Sequence, residues 1–203
     1  MAIEKILHTL QTHDPEQATL TVGGAAIAVH FAEAGLDFDT ADVDVLCSEE
    51  FFAEKTAAAI APPPDIIKHF QIRYPHGAPQ VRALSPVLDI YPGEKIAGNT
   101  LPFSATNAMG GQWHPTAYES CVNEPQKLVK HAGYLFLSMA EVLLWTAKGG
   151  RQKDIVKVDA LLPVSLDRRL ISNEEHARIK AERDYSAALR VQHPHRHHAR
   201  VEP

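Results

Sequence analysis

The chain is poor in cysteine. Its two cysteines, Cys47 and Cys121, match no zinc-ligand spacing and cannot make a disulfide framework. Cys47 closes a strand-like run and reads as a small packing residue in a reducing, cytoplasmic setting. Long apolar runs are missing too: none approaches the roughly 20 residues that cross a bilayer. The opening MAIEKILHTL is an amphipathic helix with charges of both signs, not a secretory signal, so no membrane is expected. There is no surplus of positive charge. Lys and Arg number 20 against 25 Asp and Glu, a formal net charge of -5, which argues against a broad electrostatic footprint for nucleic acid or anionic membrane and leaves room only for a local basic patch. Neither G-x-G-x-x-G nor G-x-x-x-x-G-K-[ST] occurs, so the two commonest nucleotide loops are ruled out.

What is present is an ordinary globular composition, 45% hydrophobic and 22% charged, in 203 residues. That is enough for one medium domain with a smaller appendage. Helical periodicity fills the first dozen residues, and ATLTVGG reads as a strand stopped by a glycine pair. AAIAVHFAEAG follows as a helix with Gly35 at its C-terminal end, then ADVDVLC as a strand. SEEFFAEKTAAAIA is a helix opened by Ser48 and ended before Pro62. IKHFQIRY and VRALSPVLDIYP are strand-like, with Pro86 marking an edge or bulge in the second.

From about 92 to 133 the chain reads as loops with short strands. Three helices then follow: SMAEVLLWTAK behind a Ser138/Glu141 capping box, RQKDIVKVDALL up to Pro163, and a polar helix behind Ser172/Glu175. The expectation is an α+β fold: residues 1–133 as a mixed sheet with flanking helices, 134–190 as a helical region, and 191–203 as a flexible tail. The tail histidines His193, His195, His197 and His198 read as a solvated polar stretch, and Trp113 and Trp145 as packing residues.

TADVDVLCSEE poses a problem. Asp42 and Asp44 share one face of a strand whose other face carries Val43 and Val45. Two like charges so close are costly to bury, so either a positive charge lies between them or they face open water at a solvated strand end. Asp89, in VLDIYP, points away from the apolar Leu88 and Ile90 and offers a third carboxylate. Three hard oxygen donors suit Mg²⁺ or Mn²⁺, and a divalent charge would remove the repulsion. Gly23 and Gly24, where a strand meets a helix N-terminus, allow close approach of a phosphate to backbone N–H groups.

VGGAAIAVHFAEAGLDFDTADVDVLCS resembles the nucleotidyltransferase signature: a glycine pair, a helix, then T-x-D-h-D with h apolar. It is most similar to small bacterial nucleotidyltransferase-like proteins, including toxins of abortive-infection and toxin–antitoxin systems. LSMAEVLLWTAKGGRQKDIVKVDALL resembles a second segment of that group. The likeness spans about residues 18–48, 87–91 and 134–162.

The resemblance implies an enzyme that moves a nucleoside monophosphate from a nucleoside triphosphate to a hydroxyl on a protein, an RNA end or a small molecule. Asp42, Asp44 and Asp89 would be the catalytic, metal-holding carboxylates. Gly23, Gly24, Lys148, Arg151 and Lys153 would contact the phosphates, with Asp154 orienting one of the cations. An antitoxin-like protein would be the partner. Two departures favour an alternative, a binding or regulatory module without turnover. Ala25 follows the glycine pair where many relatives have serine, and Phe38 stands where many have arginine. Arg151 and Lys153 open a helix, where added cations are mildly unfavourable unless an anion joins them.

Overall fold

Residues 3–60, 70–73, 80–84, 86–92, 105–106, 112–113 and 121–192 are described by the structure, a computed structural model. The chain divides into two compact units, residues 1–104 with 114–138, and residues 105–113 with 139–203.

The first unit runs α1 (Ile3–His13), β1 (Thr19–Val22), α2 (Gly23–Glu33), β2 (Val43–Cys47), α3 (Glu49–Ile60), β3 (Phe70–Arg73), β4 (Gln80–Leu84) and β5 (Val87–Pro92). Strands β6 (Ala105–Thr106) and β7 (Gln112–Trp113) pair with each other in the second unit. The first unit then resumes with β8 (Leu128–His131) and β9 (Tyr134–Leu137).

Its sheet has the order β3-β4-β5-β2-β1-β9-β8. The β2–β5 and β1–β9 pairs are parallel, and the other neighbours are antiparallel. Period-two alternation gives this sheet two unlike faces. Val43, Val45, Val81, Ala83, Leu88 and Ile90 share one face and are wholly buried. Helices α1, α2 and α3 pack against these strands. Burying a side chain the size of Leu or Ile stabilises by roughly 2 kcal/mol, so this face holds the sheet together.

Local signals end the helices as the sequence suggests. Phe51 N–H donates to Ser48 Oγ at 3.2 Å at the start of α3. Gly35, at φ +70°, closes α2 as its N–H and that of Leu36 bond back to Ala32 O and Phe31 O. Asp14, fully buried, accepts from the backbone N–H groups of Ala18 and Thr19 and from the Thr19 hydroxyl, which fixes the entry to β1.

The second unit continues with α4 (Met139–Gly149), α5 (Gln152–Asp167) and α6 (Asn173–Gln192). Each of the three packs against the other two, burying Val142, Leu143, Val158, Leu162 and Ile179. The Ser172/Glu175 capping box forms reciprocally, at 2.7 and 3.2 Å. No described helix is long and apolar enough to cross a membrane. The α+β class with a helical C-terminal region is the fold of the molecule.

Three local expectations change. VRALSPVLDIYP is not one strand but a hairpin, β4 and β5, with Leu84 opposite Val87 and Pro86 in the connection. Proline fits the turn because a ladder position would lose a donor. The sheet extends through Leu137, past residue 133, because YLFL finds a parallel partner in β1. Helix α5 also runs through Pro163 to Asp167. Pro163 and Asp159 are exposed there, so the carbonyl that loses its amide partner has water, while buried Leu162 and Ser165 hold the helix in place. His193, His195, His197 and His198 lie outside the described residues.

Candidate metal centre

The parallel register of β2 and β5 places Asp44 beside Asp89, and the β4–β5 hairpin places Arg82 on the other side of Asp89. Residues in register share a face, so Asp44, Asp89 and Arg82 form a row across the sheet. Asp42, two residues before Asp44, joins them. One carboxylate oxygen from each of Asp42, Asp44 and Asp89 lies within 4.8 Å of the others. Ligands on one Mg²⁺ at about 2.1 Å stand at most about 4.2 Å apart, close to the 4.8 Å within which these three oxygens lie. The donor set fits Mg²⁺ or Mn²⁺. Asp42 and Asp44 are half-buried, whereas Asp89 is almost wholly buried.

Arg82 pairs with Asp89, on the side away from Asp44, and does not lie between Asp42 and Asp44. Its Nε donates to Asp89 Oδ1 at 2.6 Å and its Nη2 to Oδ2, a fork that uses both oxygens. The Asp89 hydrogen bonds, with the charges of Asp89 and Asp42, raise the Arg82 pKa above its ordinary value. Tyr91 lies two residues beyond Asp89, hence on the same face, and receives a 2.8 Å hydrogen bond from Gln80 Nε2 at its hydroxyl oxygen. Burial above all, then the charges of Asp44, Asp89 and Asp42, push its pKa up, so it stays protonated.

The glycine pair is shaped around these residues. Gly23 has φ +61°, and a Cβ there would meet Asp44 Oδ2 at 3.0 Å. A Cβ on Gly24 would stand 2.4 Å from Thr40 Oγ1, the hydroxyl that donates to Asp42 O at 3.2 Å. Each glycine therefore makes room for the segment carrying an aspartate. Val22, the N-cap of α2, offers no side-chain cap, and the first turn of the helix holds no acid. That leaves its positive end suited to an anion.

Lys148, Arg151 and Lys153 come together at the α4–α5 junction of the second unit. Lys148 is half-buried and Lys153 exposed. Arg151, the N-cap of α5, grips Asp154 through Nε–Oδ2 at 2.5 Å and Nη2–Oδ1 at 3.0 Å. Asp154 is buried, and a Cβ on Gly149 would meet its Oδ2 at 2.8 Å. The anion that makes an arginine acceptable at this helix start is thus supplied by the chain itself.

Sequence reasoning missed Arg82, Gln80, Tyr91 and Thr40. The signal for the first two was Ser-Pro between two alternating apolar runs, which marks a hairpin and sets Arg82 opposite Asp89. In comparison with known proteins, the chain matches no protein-family model and no curated protein.

Proposed function

We propose that the protein is a Mg²⁺-dependent nucleotidyltransferase that transfers a nucleoside monophosphate from a nucleoside triphosphate to a hydroxyl acceptor, as toxin-type members of that group do. The observation that carries this reading is the meeting of Asp42, Asp44 and Asp89 within 4.8 Å, beside the N-terminus of α2, whose N-cap Val22 supplies no side-chain cap. Asp42 and Asp44 would hold the metal, with Asp89 completing its ligands or receiving the proton of the attacking hydroxyl. Backbone N–H groups at Gly23 and Gly24 would bind phosphate oxygens. The hydroxyl oxygen attacks the α-phosphorus, the bond to the bridging oxygen breaks, and pyrophosphate leaves. Divalent ions, when bound, neutralise charge on the attacking and departing oxygens. The chain's own share is positioning and preorganised charge.

A second reading, a nucleotide-binding or regulatory module without turnover acting with an antitoxin-like partner, draws on two observations. Phe38, where an arginine is common in the group, packs edge-on to Phe31 at 5.8 Å. Asp89 also gives both oxygens to Arg82. One experiment separates them. The full chain is incubated with Mg²⁺ and each nucleoside triphosphate labelled at the α-phosphate, with cell extract as the acceptor source, while calorimetry follows nucleotide binding. Label transfer that disappears in Asp44→Asn supports the enzyme. Metal-dependent binding without transfer supports the module, and absence of both removes the nucleotide reading.

A further inference from the structure

Residues in register line up across four neighbouring strands of the first unit: Val22 on β1, Asp44 on β2, Asp89 on β5 and Arg82 on β4. Strands lie about 4.8 Å apart, so Arg82 stands three spacings, about 14 Å, from the strand that leads into α2. Gly23 and Gly24 open that helix directly after Val22. The row therefore has two unlike ends, backbone N–H groups at one and a guanidinium at the other, with carboxylates between them.

The guanidinium is only partly used. Of its five N–H groups, Nε and Nη2 each give one to Asp89, and the remaining three have no partner among the described residues. The Arg82 side chain is 27% exposed where that of Asp89 is 2% exposed, so the group bridges a buried carboxylate and solvent. Its Nη1 and Nη2 end keeps the geometry that grips a phosphate or carboxylate through two parallel hydrogen bonds. The backbone holds it in place: Arg82 and Asp89 are register partners across a hairpin whose turn contains Pro86.

Resting on the nucleotidyltransferase reading above, we infer that Arg82 binds the acceptor, and that the acceptor is a small hydroxyl compound carrying its own anionic group, a phosphate or a carboxylate. In phosphoryl transfer the attacking and leaving oxygens lie roughly in line through the phosphorus. With pyrophosphate held at the α2 end, the hydroxyl arrives from the end of Asp89 and Arg82. Its oxygen bonds to the α-phosphorus and the bond to the bridging oxygen breaks. Pyrophosphate leaves with that electron pair, and the hydroxyl proton is released to water. The acceptor's anionic group takes the free end of the guanidinium. A neutral acceptor leaves those donors unused, and the formal net charge of -5 disfavours a long polyanion such as RNA.

The test uses the full chain, Mg²⁺, nucleoside triphosphates labelled at the α-phosphate, and cell extract split by ultrafiltration into small-molecule and macromolecular fractions. Label transfer is expected in the small-molecule fraction, with the acceptor retained on an anion-exchange column and eluted by salt. Loss of acceptor activity after phosphatase treatment marks a phosphomonoester, and survival marks a resistant anion such as a carboxylate. Arg82→Lys keeps the positive charge beside Asp89 but not the second pair of donors. With the eluted acceptor fraction it is expected to raise the acceptor KM by about tenfold, the loss of one charge-assisted hydrogen bond, and to move the nucleotide KM far less. A merely structural role for Arg82 would change kcat alone or both KM values together.

Acceptor activity in the column flow-through overturns the inference and leaves the nucleotidyltransferase reading standing. So does activity confined to the macromolecular fraction and destroyed by ribonuclease or protease. An unchanged acceptor KM in Arg82→Lys, folded by circular dichroism, overturns it as well. Should Arg82→Lys not fold, the partition of the acceptor measured with wild type still decides. No transfer by wild type from any triphosphate to whole extract removes the nucleotidyltransferase reading itself, and this inference with it.

Discussion

Each unit of the chain holds a bidentate arginine–aspartate pair with a buried carboxylate, and the two pairs differ in their surroundings. Arg151 and Asp154 are three residues apart at the start of α5, a local pair in which the aspartate answers the arginine. The other cations of that cluster, Lys148 and Lys153, are half-buried and exposed, so water can share their charge. Arg82 and Asp89 meet across a hairpin, and Asp89 then stands within 4.8 Å of two more carboxylates. One pair is complete in itself. The other is the neutralised corner of a three-carboxylate group that could hold a metal ion, and a titratable pair set among further acids is the stronger pointer to a site.

The largest expected effect tests the completeness of the local pair. Arg151→Ala leaves the buried Asp154 carboxylate unpaired, and stability should fall by about 3 kcal/mol in urea unfolding. Millimolar Mg²⁺ should not restore it. Restoration by Mg²⁺ would mean that Asp154 takes a cation as readily as Asp89, and the contrast between the units would be lost. A smaller effect is expected on the other side. Asp44→Asn should weaken Mn²⁺ binding tenfold or more, about 1.4 kcal/mol, while the metal-free melting temperature stays level or rises as repulsion with Asp42 eases. A strong loss of stability in metal-free Asp44→Asn would make that carboxylate a structural group like Asp154.

Glycines sharpen the comparison further. Gly23 (φ +61°) and Gly150 (φ +63°) both hold left-handed backbone, so alanine costs each about 1 kcal/mol. They differ in what a methyl group would meet. At Gly150 the nearest atom is Ser186 Cβ at 3.7 Å, an ordinary contact, whereas at Gly23 it is Asp44 Oδ2 at 3.0 Å. Thermal melts of Gly23→Ala and Gly150→Ala should therefore show comparable losses without metal. Only Gly23→Ala should lower Mn²⁺ affinity, through displacement of the Asp44 carboxylate. Equal metal affinity in both variants would detach the glycine pair from the site.

Much of the chain is written locally. The alternation in VDVLC, the Ser48 and Ser172 caps and the αL glycine at Gly35 each act within a few residues, so they are legible in one dimension. Asp42, Asp44 and Asp89 were legible as a group because alternation put each opposite an apolar face. Their partner was not. Whether Arg82 faces Asp89 depends on where the chain turns, and reading VRALSPVLDIYP as one strand moves Arg82 about seven residues along the strand from Asp89 instead of across from it. Pro163 misled for a related reason. A proline's cost in a helix depends on whether the freed carbonyl reaches water, which is a tertiary fact.

The smallest expected effect concerns how α2, which carries the glycine pair at its start, is held to the sheet at its other end. His30, in the last turn of α2, is 5% exposed, and its Nε2–H donates to Leu137 O at 2.9 Å. Burial lowers its pKa below 6.5, outweighing the carbonyl and the charge of Glu33, which act to raise it. The imidazole is therefore neutral in the folded chain at pH values where the unfolded chain has begun to protonate it. A lowered folded value means the unfolded state binds the extra proton, so the stability His30 contributes is fully present above about pH 6.5 and is lost as pH falls below it. The loss is bounded at about 1.4 kcal/mol for each pH unit, the limit for one proton. His30→Gln keeps an N–H donor for Leu137 and has no proton to gain. Melting temperatures measured from pH 7.5 to 5.5 should converge between wild type and His30→Gln as the pH drops, with wild type losing more. Parallel curves would show that His30 titrates alike in both states, and that its hold on β9 does not depend on its charge.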